Sequence, residues 1–154
     1  MKVSSILDGK RVETIKPTAT IKELVEKLAA MKIGALVVSS DGKFIEGIVS
    51  ERDIVQSMPK NIENFQKLHV RDIMTVNVMT CTKDATFAEL MVLMTQKRIR
   101  HVPIVDSSDS LVSIVSIGDV VKNHISEIDG ERNALIDYVK SSRSEEHTSE
   151  LQSH

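Results

Sequence analysis

The hydrophobic pattern of this chain changes period several times, and the same series of changes occurs twice. Ile21, Leu24, Val25, Leu28 and Met31 follow the i, i+3, i+4, i+7 spacing that predicts an amphipathic helix. Thr20 and Glu23 stand before it in the spacing of a capping box, where the threonine oxygen accepts from the N3 amide and the glutamate reaches back to the cap amide. Ala35 to Val38 is a short apolar run of the kind that forms a buried strand. The turn formers Ser39, Ser40, Asp41 and Gly42 follow it. A further strand is expected over Ile45–Val49, a helix from Ser50, and a short first strand over Val12–Ile15.

A shift of 66 residues lays this pattern on a second copy without a gap. Val12–Val55 then matches Val78–Val121 with 12 identities in 44 positions, among them Thr20/Thr86, Glu23/Glu89, Ser50/Ser116 and Asp53/Asp119. Ordinary composition would give about three. The second copy repeats the elements: a strand over Val78–Thr82, a helix carrying Phe87, Leu90, Met91 and Met94, strands over His101–Val105 and Leu111–Val115, and a helix from Ser116. Each unit is β-α-β-β-α. Neither is large enough to bury a comfortable core alone, so the two are expected to share one.

The first unit with its N-terminal segment is assigned to residues 1–57, a linker with a short helix to 58–72, the second unit to 73–127 and a terminal helix to 128–142. In that last helix Ala134, Leu135 and Val139 form a possible apolar face. Residues 143–154, RSEEHTSELQSH, resemble the in-frame translation of a sequencing adapter, and their polar composition cannot build a core.

Composition narrows the chemistry. Three Phe, one Tyr and no Trp leave an aliphatic core of Ile, Val, Leu and Met, and Met74 and Met79 are expected within it. The adapter-like segment holds one of the 20 basic and three of the 22 acidic residues, so the remainder carries 19 of each. Bulk attraction to nucleic acid or to an anionic membrane is not expected of so balanced a chain. A single cysteine, Cys81, excludes an internal disulfide and a cysteine zinc site, and is read as a small core residue. His69, His101 and His124 lack metal-ligand spacing, and no metal is expected. No apolar run approaches a membrane span and no signal core opens the chain, so the cytosol is the expected location. No phosphate-binding glycine loop, nucleophile elbow or dinucleotide glycine fingerprint occurs, which argues against an enzyme.

The repeat ends are the most specific strings. Gly47-Ile48-Val49-Ser50-Glu51-Arg52-Asp53-Ile54 and Ser113-Ile114-Val115-Ser116-Ile117-Gly118-Asp119-Val120 share a small residue, two apolar residues, Ser, two variable positions, Asp and an apolar residue. This resembles the signature of CBS domains, named for cystathionine β-synthase. The string from Arg100 to Val105, including His101, Val102 and Pro103, resembles the second strand of that family. The resemblance spans about Val3 to Ile125. It implies an α/β (α+β) fold of two βαββα repeats packed with pseudo-twofold symmetry, a Bateman module. Such modules commonly bind adenine nucleotides in two clefts between the repeats and often form homodimers.

By that resemblance Asp53 and Asp119 would each accept from a ribose diol, with Ser50 and Ser116 offering a hydroxyl at a helix start where phosphate is favoured. Arg52, Arg98, Arg100 and His101 would neutralise phosphate charge. Thr14, Thr80 and Thr82 lie near the first strands, where the family holds the base, and Ile15, Leu36, Val102 and Ile117 would sandwich the purine. The cleft of the second copy, with Asp119 and the basic residues, is expected to be the better site. The same Ser-x-x-Asp spacing also describes a plain helix cap with an acidic N3 residue, and both readings stand at this level. The expected function is a regulatory sensor of AMP, ADP or ATP, with NAD or S-adenosylmethionine as related ligands, acting on an unidentified partner protein. The alternative is a ligand-free interaction or dimerisation module.

Overall fold

Helix caps and β-branched runs place the elements close to where the sequence puts them. The computed structural model describes residues 1–143, with side chains described for 1–140. In the first repeat, β1 (Thr14–Ile15) lies parallel to β2 (Ala35–Val38), and β2 lies antiparallel to β3 (Gly47–Ser50), in the order β1-β2-β3. Helix α1 (Ile21–Met31) connects β1 to β2, and α2 (Glu51–Asn61) follows β3. The second repeat has α4 (Phe87–Lys97), the antiparallel pair β4 (His101–Val105) and β5 (Leu111–Ser116), and α5 (Ile117–Arg143). The class is α+β, built from two tandem repeats.

Both expected caps form. Thr20 Oγ1 accepts from the Glu23 amide and Thr86 Oγ1 from the Glu89 amide, each at 3.1 Å, and Glu89 alone completes the box by accepting from the Thr86 amide. Both helices end in a residue of left-handed conformation, Lys32 at φ 55° and Arg98 at φ 54°.

The first strand of the second repeat is a correction to the sequence reading. Only Cys81 bridges β4, donating to the Pro103 carbonyl at 3.1 Å and accepting from the Val105 amide at 2.9 Å. The cause is Pro103, which stands where β2 has Val37 and offers no N–H to extend the ladder. A second correction concerns the C-terminus. The separate terminal helix expected over 128–142 is the end of a continuous 27-residue α5, unbroken at Gly130. Leu135 of the expected apolar face is 63% exposed on it, and Val139 is half-buried. The adapter-like residues after Arg143 lie outside the described residues.

Each repeat has its own core, where the sequence reading expected the two to share one. Ile21, Leu24, Leu28, Leu36, Val38 and Val49 build the first, and Phe87, Leu90, Met94, Val102, Ile104, Val115 and Val120 the second. Ala35, Val37 and Val105 are buried yet belong to neither cluster, so the opposite faces of the sheets are covered too.

The repeats complete one another. The N-terminal 3-10 turn Val3–Ile6 inserts Val3 into the second core, and the amides of Val3 and Ser4 donate to the carbonyls of Ala85 and Lys83. The short helix α3 (Val70–Ile73) does the same for the first core: Val70 is fully buried, and the amides of Val70 and Arg71 donate to Ala19 and Pro17. The acceptors are equivalent under the 66-residue shift. The segment expected as a linker thus supplies part of a core, and α2 runs through Pro59 to Asn61 within it. Where the sheets meet, Phe44 bridges Ser110, its own counterpart in the second repeat. A residue paired with its own equivalent marks a local pseudo-twofold axis.

Candidate functional site

The polypeptide leaves β3 and β5 through the same cap. Ser50 donates its amide to Asp53 Oδ2 at 2.8 Å and its hydroxyl to the same oxygen at 3.0 Å, while its Oγ accepts from the Asp53 amide at 3.3 Å. Ser116 and Asp119 repeat this with distances of 3.2, 2.8 and 3.2 Å. The capping role is therefore real at both positions. It uses only Oδ2 of each carboxylate, and Oδ1 keeps its acceptor capacity.

Equivalent backbone bonds hold the two helix starts against the opening residues of the central strands. The Glu51 amide donates to the Gly34 carbonyl at 3.0 Å, and the Ile117 amide to the Arg100 carbonyl at 2.8 Å. In the first case this forms the wall of a cleft of about 880 Å3 between the repeats. Its floor and sides come from the start of α2 (Ser50, Glu51, Arg52, Asp53), the segment entering β4 (Arg98, Ile99, Arg100, His101) and the segment entering the second repeat (Thr75, Asn77, Val78, Met79). The volume falls within the range of small-molecule sites. Antiparallel bonds between Ile48 and Thr75, 2.8 and 2.9 Å, tie that last segment to β3.

The cleft thus joins residues that the sequence reading had placed apart. Arg98, Arg100 and His101, expected beside Asp119, line the cleft of Asp53, and Asp119 and Ser116 lie outside it. The reason is the crosswise packing: the start of β4 in one repeat faces the start of α2 in the other. Leu36 and Val102 are 1% and 0% exposed within the cores and cannot sandwich a base, and Ile15 is buried with Leu36. Pro103 is buried in β4, and Ile117 is half-buried against the second core. Thr80 and Thr82 are exposed on either side of Cys81, outside the cleft. Met79, expected in the core, is 40% exposed and lines the cleft.

Thr14 lies in a different hollow of about 610 Å3 on the first repeat, with Arg11, Lys16, Lys27 and Gly42. There Lys27 donates to the Thr14 carbonyl at 2.6 Å and pairs with Glu13 at 3.1 Å. The lining residues missed by sequence reasoning are chiefly Thr75, Asn77, Val78 and Met79. The only available signal was their position just before the second repeat.

His101 is held below the ordinary histidine range, first by burial and also by the Arg100 charge, against the opposing pull of Asp119 and Glu51. It is therefore a neutral imidazole at neutral pH. The ring lies beside Gly34, where an added Cβ would meet its Cε1 at 3.5 Å, an ordinary van der Waals contact. Burial raises the Cys81 thiol, with a smaller push from Glu89, which leaves it an unreactive thiol beside the second core. Among the described residues no cluster of three His, Cys, Asp or Glu could hold a metal ion, and no helix is long and apolar enough to cross a membrane.

Two pseudo-symmetric repeats with exchanged N-terminal segments and a cleft between them define a tandem-repeat module. Residues 3–60 and 70–125 match the CBS domain family, and the chain belongs to that family as a CBS pair. A crystal structure of a CBS-domain protein from Agrobacterium tumefaciens superposes with a TM-score of 0.75 at 37% identity, covering 80% of this chain and 99% of that one. The CBS pair of the protein MJ0100, solved with 5′-methylthioadenosine and S-adenosylmethionine, gives a TM-score of 0.72 at 25% identity over 82% and 98% of the two chains. An uncharacterised Methanopyrus kandleri protein is 34% identical over 111 residues, 72% of this chain. This chain spans 57% of that relative's length.

Proposed function

We propose that this CBS pair is a regulatory, non-catalytic module that binds an adenine nucleotide such as AMP, ADP or ATP in the cleft of Asp53. Occupancy would report to a partner protein or to a second copy of the chain. One observation carries the reading: Asp53 lines a cleft shared with three arginines, and its cap leaves Oδ1 uncommitted. A ribose diol can donate to that oxygen without breaking the cap. The MJ0100 pair, which holds two adenosyl ligands, supports an adenosine-type ligand here, and keeps S-adenosylmethionine and NAD in the panel beside the nucleotides.

Thermal shift with AMP, ADP, ATP, NAD and S-adenosylmethionine tests it, on wild type and on Asp53→Asn. Asparagine retains an acceptor for the cap and loses the charge. A ligand at 100 times its Kd adds about 2.7 kcal/mol, and this gain should fall sharply in Asp53→Asn and persist in Asp119→Asn. Equal gains in all three proteins would remove Asp53 from the site.

A second reading, a self-associating module that forms a homodimer without ligand, is favoured by one feature. Helix α5 carries Ile125, Ile128 and Leu135 at 53%, 48% and 63% exposure. Sedimentation that shows a ligand-independent dimer, together with no thermal shift for any ligand, would select it.

A further inference from the structure

The charged groups in the Asp53 cleft are unevenly matched. Arg52, Arg98 and Arg100 are all exposed, and none forms an ion pair among the described residues. Two carboxylates face them, Asp53 and Glu51. Asp53 is committed through Oδ2 to the Ser50 cap. Glu51 lies towards Gly34 and His101, its Cδ 3.8 Å from where a Gly34 Cβ would stand.

The three arginines come from two repeats and three backbone settings: the first turn of α2, the left-handed C-cap of α4, and the residue entering β4. Guanidinium groups brought together from separate elements repel one another, and an anion with several oxygens relieves that repulsion through forked hydrogen bonds.

The internal repeat provides a control within the molecule. Under the 66-residue shift Arg52 corresponds to Gly118, Arg100 to Gly34 and Arg98 to Lys32. By that correspondence the second copy keeps one cation, Lys32, at the positions where the first cleft has three arginines.

We infer that Arg52, Arg98 and Arg100 make the Asp53 cleft selective for a ligand with two or more linked phosphates, and that the chain holds one such site. This rests on the proposed nucleotide reading and deepens it. A nucleoside di- or triphosphate spreads negative charge over all three guanidinium groups, whereas a monophosphate reaches fewer of them. A sulfonium ligand such as S-adenosylmethionine brings a positive charge to the same place and is rejected.

Calorimetric titration of the full chain, without divalent cations, tests this with ATP, ADP, AMP, adenosine, S-adenosylmethionine and sodium tripolyphosphate. ATP and ADP should bind at least about tenfold more tightly than AMP, with one site per chain. Their affinity should fall more steeply with salt than that of AMP, because more charge is matched. Arg52→Gln combined with Arg100→Gln should reduce the preference for ATP over AMP to less than about threefold. The wild-type salt dependence needs no variant, so the test survives a misfolded mutant.

AMP binding as tightly as ATP, or S-adenosylmethionine binding more tightly than AMP, would overturn the selectivity and leave the nucleotide reading standing. Tripolyphosphate binding with no gain from an attached adenosine would overturn the nucleotide reading and retain the phosphate selectivity. No binding by any of the six would overturn both.

Discussion

Gly47 and Thr75 touch at the seam between the repeats: a Cβ on Gly47 would lie 2.9 Å from the Thr75 carbonyl oxygen and 2.7 Å from Met74 Sδ. The glycine is what allows the segment entering the second repeat to run flush against β3. It thereby positions Thr75 and the residues after it along the cleft. Ser113 stands at the equivalent position of the second repeat, where no such bridge to β5 forms among the described residues. Gly47→Ala is expected to destabilise the protein by about 1–3 kcal/mol through overpacking against backbone. It should also weaken ligand binding in the cleft. Urea unfolding checks the first effect and thermal shift with ligand the second; an unchanged midpoint in urea would show that the seam can open freely.

The repeat, the caps at Thr20, Thr86, Ser50 and Ser116, and the buried helix positions Ile21, Leu24, Leu28, Phe87, Leu90 and Met94 were legible because each rests on local spacing. Thr20 and Thr86, Ser50 and Ser116 announce helix starts by chemistry confined to four residues. The cleft was less legible because it forms crosswise. Arg98 and Asp119 belong to the same copy in sequence, and only the packing of one repeat on the other turns Arg98 towards Asp53. Leu36 and Val102 show a related limit. Alternation along a strand says that neighbouring residues face opposite ways, but not which face meets the core. The exchange of Val3 and Val70 was hidden because each acts across the molecule on four or fewer ordered residues.

That exchange makes a stability prediction. Val70 is fully buried in the first core although it lies between the repeats. Val70→Ala should cost about 2 kcal/mol, whereas Ile62→Ala, at a position 75% exposed in the same segment, should stay within about 0.5 kcal/mol. Equal small effects in urea unfolding would mean that the segment is a passive tether.

His101 sets a pH dependence. Its folded pKa lies below the unfolded value near 6.5, so the unfolded chain binds more protons between the two. Its contribution to stability is therefore complete above about pH 6.5 and is lost as pH falls from there towards the folded pKa. His101→Gln should lose less stability than wild type between pH 7.5 and 5.5. Melting curves at both pH values decide, and equal losses would mean that His101 titrates as it does in the unfolded chain.

Lys32 and Arg98 separate stability from binding, because they share a backbone conformation and differ in surroundings. Both hold positive φ at a helix C-cap, where a side chain costs about 1–2 kcal/mol and glycine has no such penalty. Greater freedom of glycine in the unfolded chain offsets part of the gain. Lys32→Gly and Arg98→Gly are each expected to raise stability by up to about 1 kcal/mol. Only Arg98 lines the cleft, so only Arg98→Gly should weaken a polyphosphate ligand, by about tenfold. A more stable protein with weaker binding is not what general damage produces. If both variants left the affinity unchanged, Arg98 would be a helix terminator and the phosphate contacts would rest on Arg52 and Arg100 alone.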